Sequence, residues 1–242
     1  MNSRAAEPGL DPLQARRPDK PRIGITKPAG KDWLVHLALS LSVRIAGGIP
    51  VKVTADQPRA PGEIDGLLLS GGLDLNPHLY EGEHDPARKY DDARDALEMA
   101  WARQAWDMDM PILAICRGCQ LLNVSRGGDL LQAIDPEVLE TYPTSPIGYA
   151  LFRKDIDVND NSRLATITGS NRLRVNSLHR QAVNQPGEDL HVTACESHGG
   201  VQAIESDAAH FVLGVQFHPE LLIHRRDMRA IFGAFVSACR PS

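Results

Sequence analysis

The stretch Pro111-Ile-Leu-Ala-Ile-Cys116-Arg117-Gly118-Cys119-Gln120-Leu-Leu-Asn123 decides how this chain reads. A short run dominated by Ile and Leu predicts a buried strand, Gly118 permits a sharp turn, and helical spacing from Gln120 to Ser125 closes at Gly127-Gly128. Cys116 therefore falls on a strand-to-helix elbow. Such an elbow holds a side chain proud of the sheet and aims helix N–H groups at whatever it attacks, the cysteine counterpart of the serine elbow of hydrolases. Helix N-termini also favour thiolate.

A nucleophilic thiol needs a base. Phe211-Val-Leu-Gly-Val-Gln-Phe-His218-Pro219-Glu220 offers one, because an apolar strand runs straight into His218. Pro219 is expected to keep the chain extended, so that His218 and Glu220, two residues apart, lean to the same side. Glu220 would then orient the imidazole. Nucleophile, base and orienter are all provided for.

The residues outside these stretches set the frame. Apolar strands at Arg22–Thr26, Pro50–Thr54 and Gly66–Ser70 alternate with helical patterns at 32–45, where Leu34, Leu37, Leu41 and Ile45 share a stripe, and at 93–108, where Ala93, Leu97, Ala100, Trp101 and Ala105 do. That alternation predicts an α/β fold with a mostly parallel, doubly wound sheet. Ser70-Gly71-Gly72 and Cys116 both sit at strand carboxyl ends, where such sheets bind ligands. The second half, with β runs at 172–175, 190–195, 201–206 and 211–216, is antiparallel in character, the last two forming a hairpin. Ile134 to Gly148 reads as a loop and potential lid, and a final helix from Arg226 puts Met228, Ile231, Phe232 and Phe235 on one face.

Four separated motifs in register resemble class I glutamine amidotransferases, over roughly residues 20 to 238. They are Leu69-Ser-Gly-Gly72 followed by Asp74-x-Asn76-Pro77, Cys116-Arg-Gly-x-Gln120, Val175-Asn-Ser177-x-His179, and Gly214-Val-Gln-Phe-His218-Pro-Glu220. Within that group the chain is similar to the γ-glutamyl-γ-aminobutyrate hydrolase branch, peptidase C26. The resemblance implies a flavodoxin-like sheet and a Cys116-His218-Glu220 triad. It implies that the backbone N–H groups of Gly72 and Arg117 stabilise the tetrahedral oxyanion, and that Gln120, Asn176 and Ser177 contact the glutamyl group. His179 reads equally as a substrate contact or as a hydrogen-bonded structural residue. The reaction implied is hydrolysis of a γ-glutamyl amide through a γ-glutamyl thioester, without cofactor or metal. Alternatives are a glutaminase delivering ammonia to a synthetase, and a catalytically silent binding or regulatory protein on the same fold.

Composition narrows the partners. With 26 Lys and Arg against 31 Asp and Glu, the net charge of -5 leaves no basic footprint for nucleic acid, and no apolar run approaches the roughly 18 residues of a membrane span. The expected partner is a small γ-glutamyl amide, and a homodimer is compatible with it. Residues 1–20, rich in Arg, Pro and Gly, read as a flexible arm before one hydrolase domain at 21–242. The four cysteines demand no disulfide framework in a chain this long, and thiol chemistry points to the cytoplasm. Cys116-x-x-Cys119 lacks the second cysteine pair of a zinc site, so Cys119 is expected to pack against the sheet.

Overall fold

A computed structural model describes residues 20–27, 33–56, 59–134, 142–143, 148, 151–177 and 179–240. The first half alternates as expected: β1 (Arg22–Thr26), α1 (Trp33–Ile45), β2 (Ile49–Val53), β3 (Gly66–Leu69), α2 (Asp92–Asp107), β4 (Ile112–Ile115) and α3 (Arg117–Ser125). There follow β5 (Leu130–Leu131), β6 (Lys154–Val158), α4 (Arg163–Thr168), β7 (Arg172–Val175), β8 (Ala182–Val183), β9 (His191–Cys195), β10 (Val201–Ser206), β11 (Val212–Val215) and α5 (Arg226–Ala238). The arm at 1–20, apart from Lys20, and most of the loop at 134–148 lie outside the described residues.

One nine-stranded sheet runs in the order β2-β1-β3-β4-β11-β10-β9-β6-β7, and β5 pairs with β8 separately. The strands from β2 to β11 are parallel, and those from β11 onward alternate antiparallel. This is the mostly parallel, flavodoxin-like sheet with antiparallel additions that the sequence predicts. The β10–β11 hairpin forms with Ser206 opposite Val212. β6 escapes an apolar-run search because Lys154-Asp-Ile-Asp-Val158 is half polar. Its alternation, with Ile156 and Val158 buried, is nonetheless that of a one-sided strand.

Alternate side chains divide the core between the two faces. Ile23, Ile25, Leu68, Leu113, Leu213 and Val215 belong to one cluster with α1, α4 and α5, while Leu67, Leu69, Ile112 and Ala114 join α2 and α3 on the other. The face expected for α5 is the buried one, since Met228, Ile231, Phe232 and Phe235 are all fully inaccessible. Each such side chain contributes about 1.5–3 kcal/mol through burial. Phe232→Ala should therefore cost about 3–5 kcal/mol, read as a lower urea midpoint at unchanged slope.

Two helices differ from expectation. The α1 stripe predicted for the core faces outward, with Leu34, Leu37, Leu41 and Ile45 between 49 % and 62 % exposed, while Leu39, Ser40, Ser42 and Val43 are buried. Two serines are accepted inside in part because the Ser42 hydroxyl donates to the carbonyl of Ala38 at 2.9 Å. On α2, Trp101 and Ala105 of the predicted face are buried and Leu97 partly so, but Ala93 and Ala100 are exposed, and the buried positions include Arg94, Asp95 and Glu98. A buried charge is tolerable where it is paired and hydrogen-bonded. These are, with one another and with Arg117.

Candidate active site

The elbow is built by β4 and α3. Cys116 caps α3 with φ 53° and ψ -110°, a left-handed conformation that a side chain rarely adopts and that costs on the order of 1–3 kcal/mol. Backbone bonds hold it there, since its N–H donates to the carbonyl of Val215 at 2.7 Å and its carbonyl accepts from the N–H of Gln120 at 3.2 Å. Gly118 makes the approach possible. A Cβ there would stand 2.2 Å from the carbonyl oxygen of Leu69, so only glycine lets α3 start this close to β3.

β11 lies beside β4 and ends within reach of the thiol. His218 Nδ1 donates to Glu220 Oε1 at 2.7 Å, and the Cys116 thiol lies close enough to the imidazole to help raise its pKa. Pro219 does not extend the chain as expected. It opens a 3-10 turn, Pro219–Leu222, and the turn rather than strand alternation swings Glu220 back to the ring. His218 is fixed from behind by Asn176, whose backbone and side-chain oxygens both accept from the His218 N–H, at 3.4 and 3.3 Å.

Burial alone would lower the His218 pKa. The Glu220 carboxylate and the Cys116 thiol overcome it and hold the imidazole well above its ordinary value of 6.5. A raised folded value means that the stability from this contact is complete below pH 6.5 and lost as pH climbs through the folded value. Removing the sulfur removes one of the two raising influences, so His218 in Cys116→Ala should titrate at lower pH than in the unaltered chain. Following the imidazole proton signal by NMR against pH checks this. Cys119 is of another kind: burial, then Cys116, pushes its thiol strongly upward, and its sulfur lies where a Cβ on Gly214 would come within 2.9 Å. It packs on the sheet, as expected.

The other predicted residues differ in their surroundings. Gly71 adjoins Cys116 and His218 directly, because a Cβ there would be 3.6 Å from Cys116 Cβ and 3.0 Å from His218 Cε1. A Cβ on Gly72 would collide with Arg94 Nη1 at 2.2 Å. Arg117 follows Cys116 with its side chain buried against Asp95 and Glu98. Gln120 is buried, and its amide donates to the carbonyl of Gln181 at 2.7 Å and to Gln216 Oε1 at 3.0 Å. Ser177 is fully buried with no hydrogen-bond partner for its hydroxyl among the described residues. His179 is hydrogen-bonded as a structural residue would be, with Nδ1 donating to the carbonyl of Gln181 at 2.8 Å and Nε2 accepting from Gln202 at 3.1 Å, and its ring lines a cavity.

That cavity, ≈ 780 Å³, is walled in part by Ile134, Tyr142, Phe152, Lys154 and Glu196. Lys154 Nζ donates to Tyr142 at 2.8 Å and to Glu196 at 3.0 Å. Burial alone would raise the Glu196 pKa, but His179 and Lys154 bring it down to about 2. Two groups were missed in the sequence. Gln216 donates to Cys116 Sγ at 3.5 Å, signalled only by a polar residue in an otherwise apolar strand end. Arg94 donates to the carbonyls of Ser70 and Gly71, which nothing short of the fold reveals.

Solved structures with this architecture include a Thermoplasma acidophilum protein provisionally named as a GMP synthase component, matched over 92 % of this chain and 96 % of that one with TM-score 0.66 at 20 % identity. The glutaminase domain of Trypanosoma brucei CTP synthase matches over 91 % and 94 %, with TM-score 0.61 at 19 % identity. These likenesses show that the chain shares their fold. More narrowly, the peptidase C26 profile matches residues 29–220, and the chain belongs to that family. Among relatives, the γ-glutamyl-γ-aminobutyrate hydrolase PuuD of Escherichia coli is 34 % identical over 81 % of this chain and 82 % of its own. A Mycobacterium tuberculosis protein with a provisional glutamine amidotransferase name is 37 % identical over 81 % of this chain, a match that spans 64 % of its length.

Proposed function

We propose that this chain hydrolyses the γ-glutamyl amide bond of a γ-glutamyl-amine. The observation that supports the reading is the grouping of a thiol on a strained elbow with an imidazole that a carboxylate holds at 2.7 Å. Family membership supports a hydrolase, and the name of the Escherichia coli relative supports the γ-glutamyl substrate class. Cys116 thiolate adds to the γ-carbonyl carbon, and the negative charge moves to the carbonyl oxygen, facing the N–H groups of Gly72 and Arg117. The intermediate collapses as His218 Nε2 gives its proton to the departing nitrogen, breaking the C–N bond and leaving a γ-glutamyl thioester. Water then adds to the thioester carbonyl and gives a proton to His218. Glutamate leaves, and the thiolate–imidazolium pair is restored. Gln120, Ser177 and His179 flank the glutamyl group in this scheme, and Asn176 acts through the backbone of His218.

In this scheme the amine extends toward the cavity that His179 lines. Ile134 and Tyr142, from the loop read at 134–148, line that cavity, whereas the loop after Gly72 does not. Binding energy from such a remote pocket is realised in the transition state, so truncating the amine to ammonia should lower kcat as well as affinity. The isolated chain is expected to cleave a γ-glutamyl alkylamine with higher kcat/KM than free glutamine, read as glutamate release. Equal efficiency on glutamine, or turnover that begins only when a synthetase partner is added, would transfer the assignment to an ammonia-delivering glutaminase.

A further inference from the structure

The carbonyl contacts of Arg94 bear on how the oxyanion site is made. Arg94 is 3 % exposed, and its Nη2 donates to the Ser70 carbonyl at 3.1 Å, the Ser70 hydroxyl at 3.0 Å and the Gly71 carbonyl at 2.9 Å. Its Nε donates to Glu98 Oε1 at 2.9 Å, and the second Glu98 oxygen receives Arg117. Arg117 in turn reaches Asp95, whose other oxygen accepts the N–H of Asn76 at 3.0 Å. One fully buried carboxylate, Glu98, thus stands between the guanidinium that grips the glycine loop and the side chain of the residue after the nucleophile. Burial opposes its charge, but Arg117 and Arg94 prevail and keep its pKa below the ordinary value.

Peptide geometry turns this into a statement about direction. The carbonyl of Gly71 and the N–H of Gly72 belong to one planar trans peptide, in which the two groups point opposite ways. A carbonyl held toward Arg94 on α2 therefore sends the Gly72 N–H away from α2. The loop has no side chains of its own to resist a rotation of that plane, since both residues are glycine and glycine has wide backbone freedom.

We infer that Arg94, braced by Glu98, is a positioning residue that locks the Gly71–Gly72 peptide in the orientation able to stabilise the oxyanion, so that the site is preformed in the isolated chain. Glu98 also holds the Arg117 side chain, so one carboxylate stands behind both residues proposed to donate. Preorganised donors are what make an oxyanion site effective, and loss of one typically costs about 10²–10³-fold in kcat. A preformed site needs no partner to rotate the peptide into place. The inference rests on the hydrolase reading for its substrate and on the geometry above for its mechanism.

The test separates acylation from alkylation at the same sulfur. Carbonyl attack develops an oxyanion, whereas displacement of iodide from iodoacetamide by Cys116 does not. In Arg94→Met, kcat on a γ-glutamyl amide should fall roughly 10²-fold with KM changed far less, while the rate of Cys116 alkylation stays within about twofold of the unaltered chain. Arg94→Lys, which retains a cation beside Glu98 and can still donate to a carbonyl, should recover part of kcat. Unchanged kcat in both variants overturns the lock, and so does a parallel loss of alkylation and turnover. Should Arg94→Met fail to fold, Arg94→Lys decides alone: slower turnover with intact alkylation supports the lock, and no change overturns it. If the unaltered chain shows no turnover of γ-glutamyl amides, the substrate reading fails. The burst of p-nitrophenol from p-nitrophenyl acetate then carries the test, because that acylation also passes through an oxyanion at Cys116: a burst slowed in Arg94→Lys supports the lock, and an unslowed one overturns it.

Discussion

Cys116→Ala should abolish hydrolysis of γ-glutamyl amides while leaving the fold intact. No other group in the scheme forms the thioester, and removal of a nucleophile that works as one of a triad costs on the order of 10⁶-fold, down to what binding and the oxyanion site alone provide. The variant deletes one sulfur from a residue that is 9 % exposed at the edge of the core, so Tm should move by no more than a few degrees. Steady-state release of glutamate, with circular dichroism melts alongside, measures both. Cys119→Ser is the contrast, since that sulfur packs beside Gly214: turnover persists and the cost appears in stability. Retained hydrolysis in Cys116→Ala would end the mechanism, and equal loss in the two variants would point to the thiol pair instead.

His218→Ala should be nearly as severe, because the same imidazole stabilises the thiolate, protonates the amine and activates the water. Glu220→Gln should be milder, with a loss of up to roughly 10⁴-fold, since the carboxylate orients and stabilises the imidazolium without exchanging the proton. Two consequences follow from the 2.7 Å contact to Nδ1. The amide oxygen of Gln can still accept from the ring, which preserves orientation. The lost charge, however, removes the larger of the two influences that raise the His218 pKa, so the alkaline limb of the pH–rate profile should move to lower pH in Glu220→Gln. A profile that does not move, or full activity in both variants, would place the base elsewhere.

The elbow, the β10–β11 hairpin and the buried face of α5 were legible in sequence because each is specified within one local run of residues. The stripe on α1 was not. Periodicity finds apolar spacing and assigns it inward, but Leu34 to Ile45 are outward, and the inner face uses Leu39 and Val43 with two small serines. On α2 the same rule picked alanines and overlooked Arg94, Asp95 and Glu98, whose burial is made tolerable by Arg117, about twenty residues away in sequence on another helix. No window of sequence contains that compensation. His218 and Glu220 were correctly paired for an incorrect local reason, since a 3-10 turn rather than an extended strand joins them.

The position of β11 has a consequence for how the protein comes to exist. It is the final strand of the nine-stranded sheet in sequence, yet it is inserted between β4 and β10 near the middle of the sheet. A growing chain on the ribosome therefore holds β1 to β4 with an unfilled edge, and holds Cys116, long before the strand that leads into His218 has been made. Until β11 docks, the edge of β4 is open to pairing with other chains, the condition under which newly made sheets aggregate. The parallel β4–β11 pairing also joins residues a hundred positions apart, a late and slow kind of contact. His218 thus reaches Cys116 in the same event that seals the sheet, so an incompletely synthesised chain carries the thiol without the imidazole beside it.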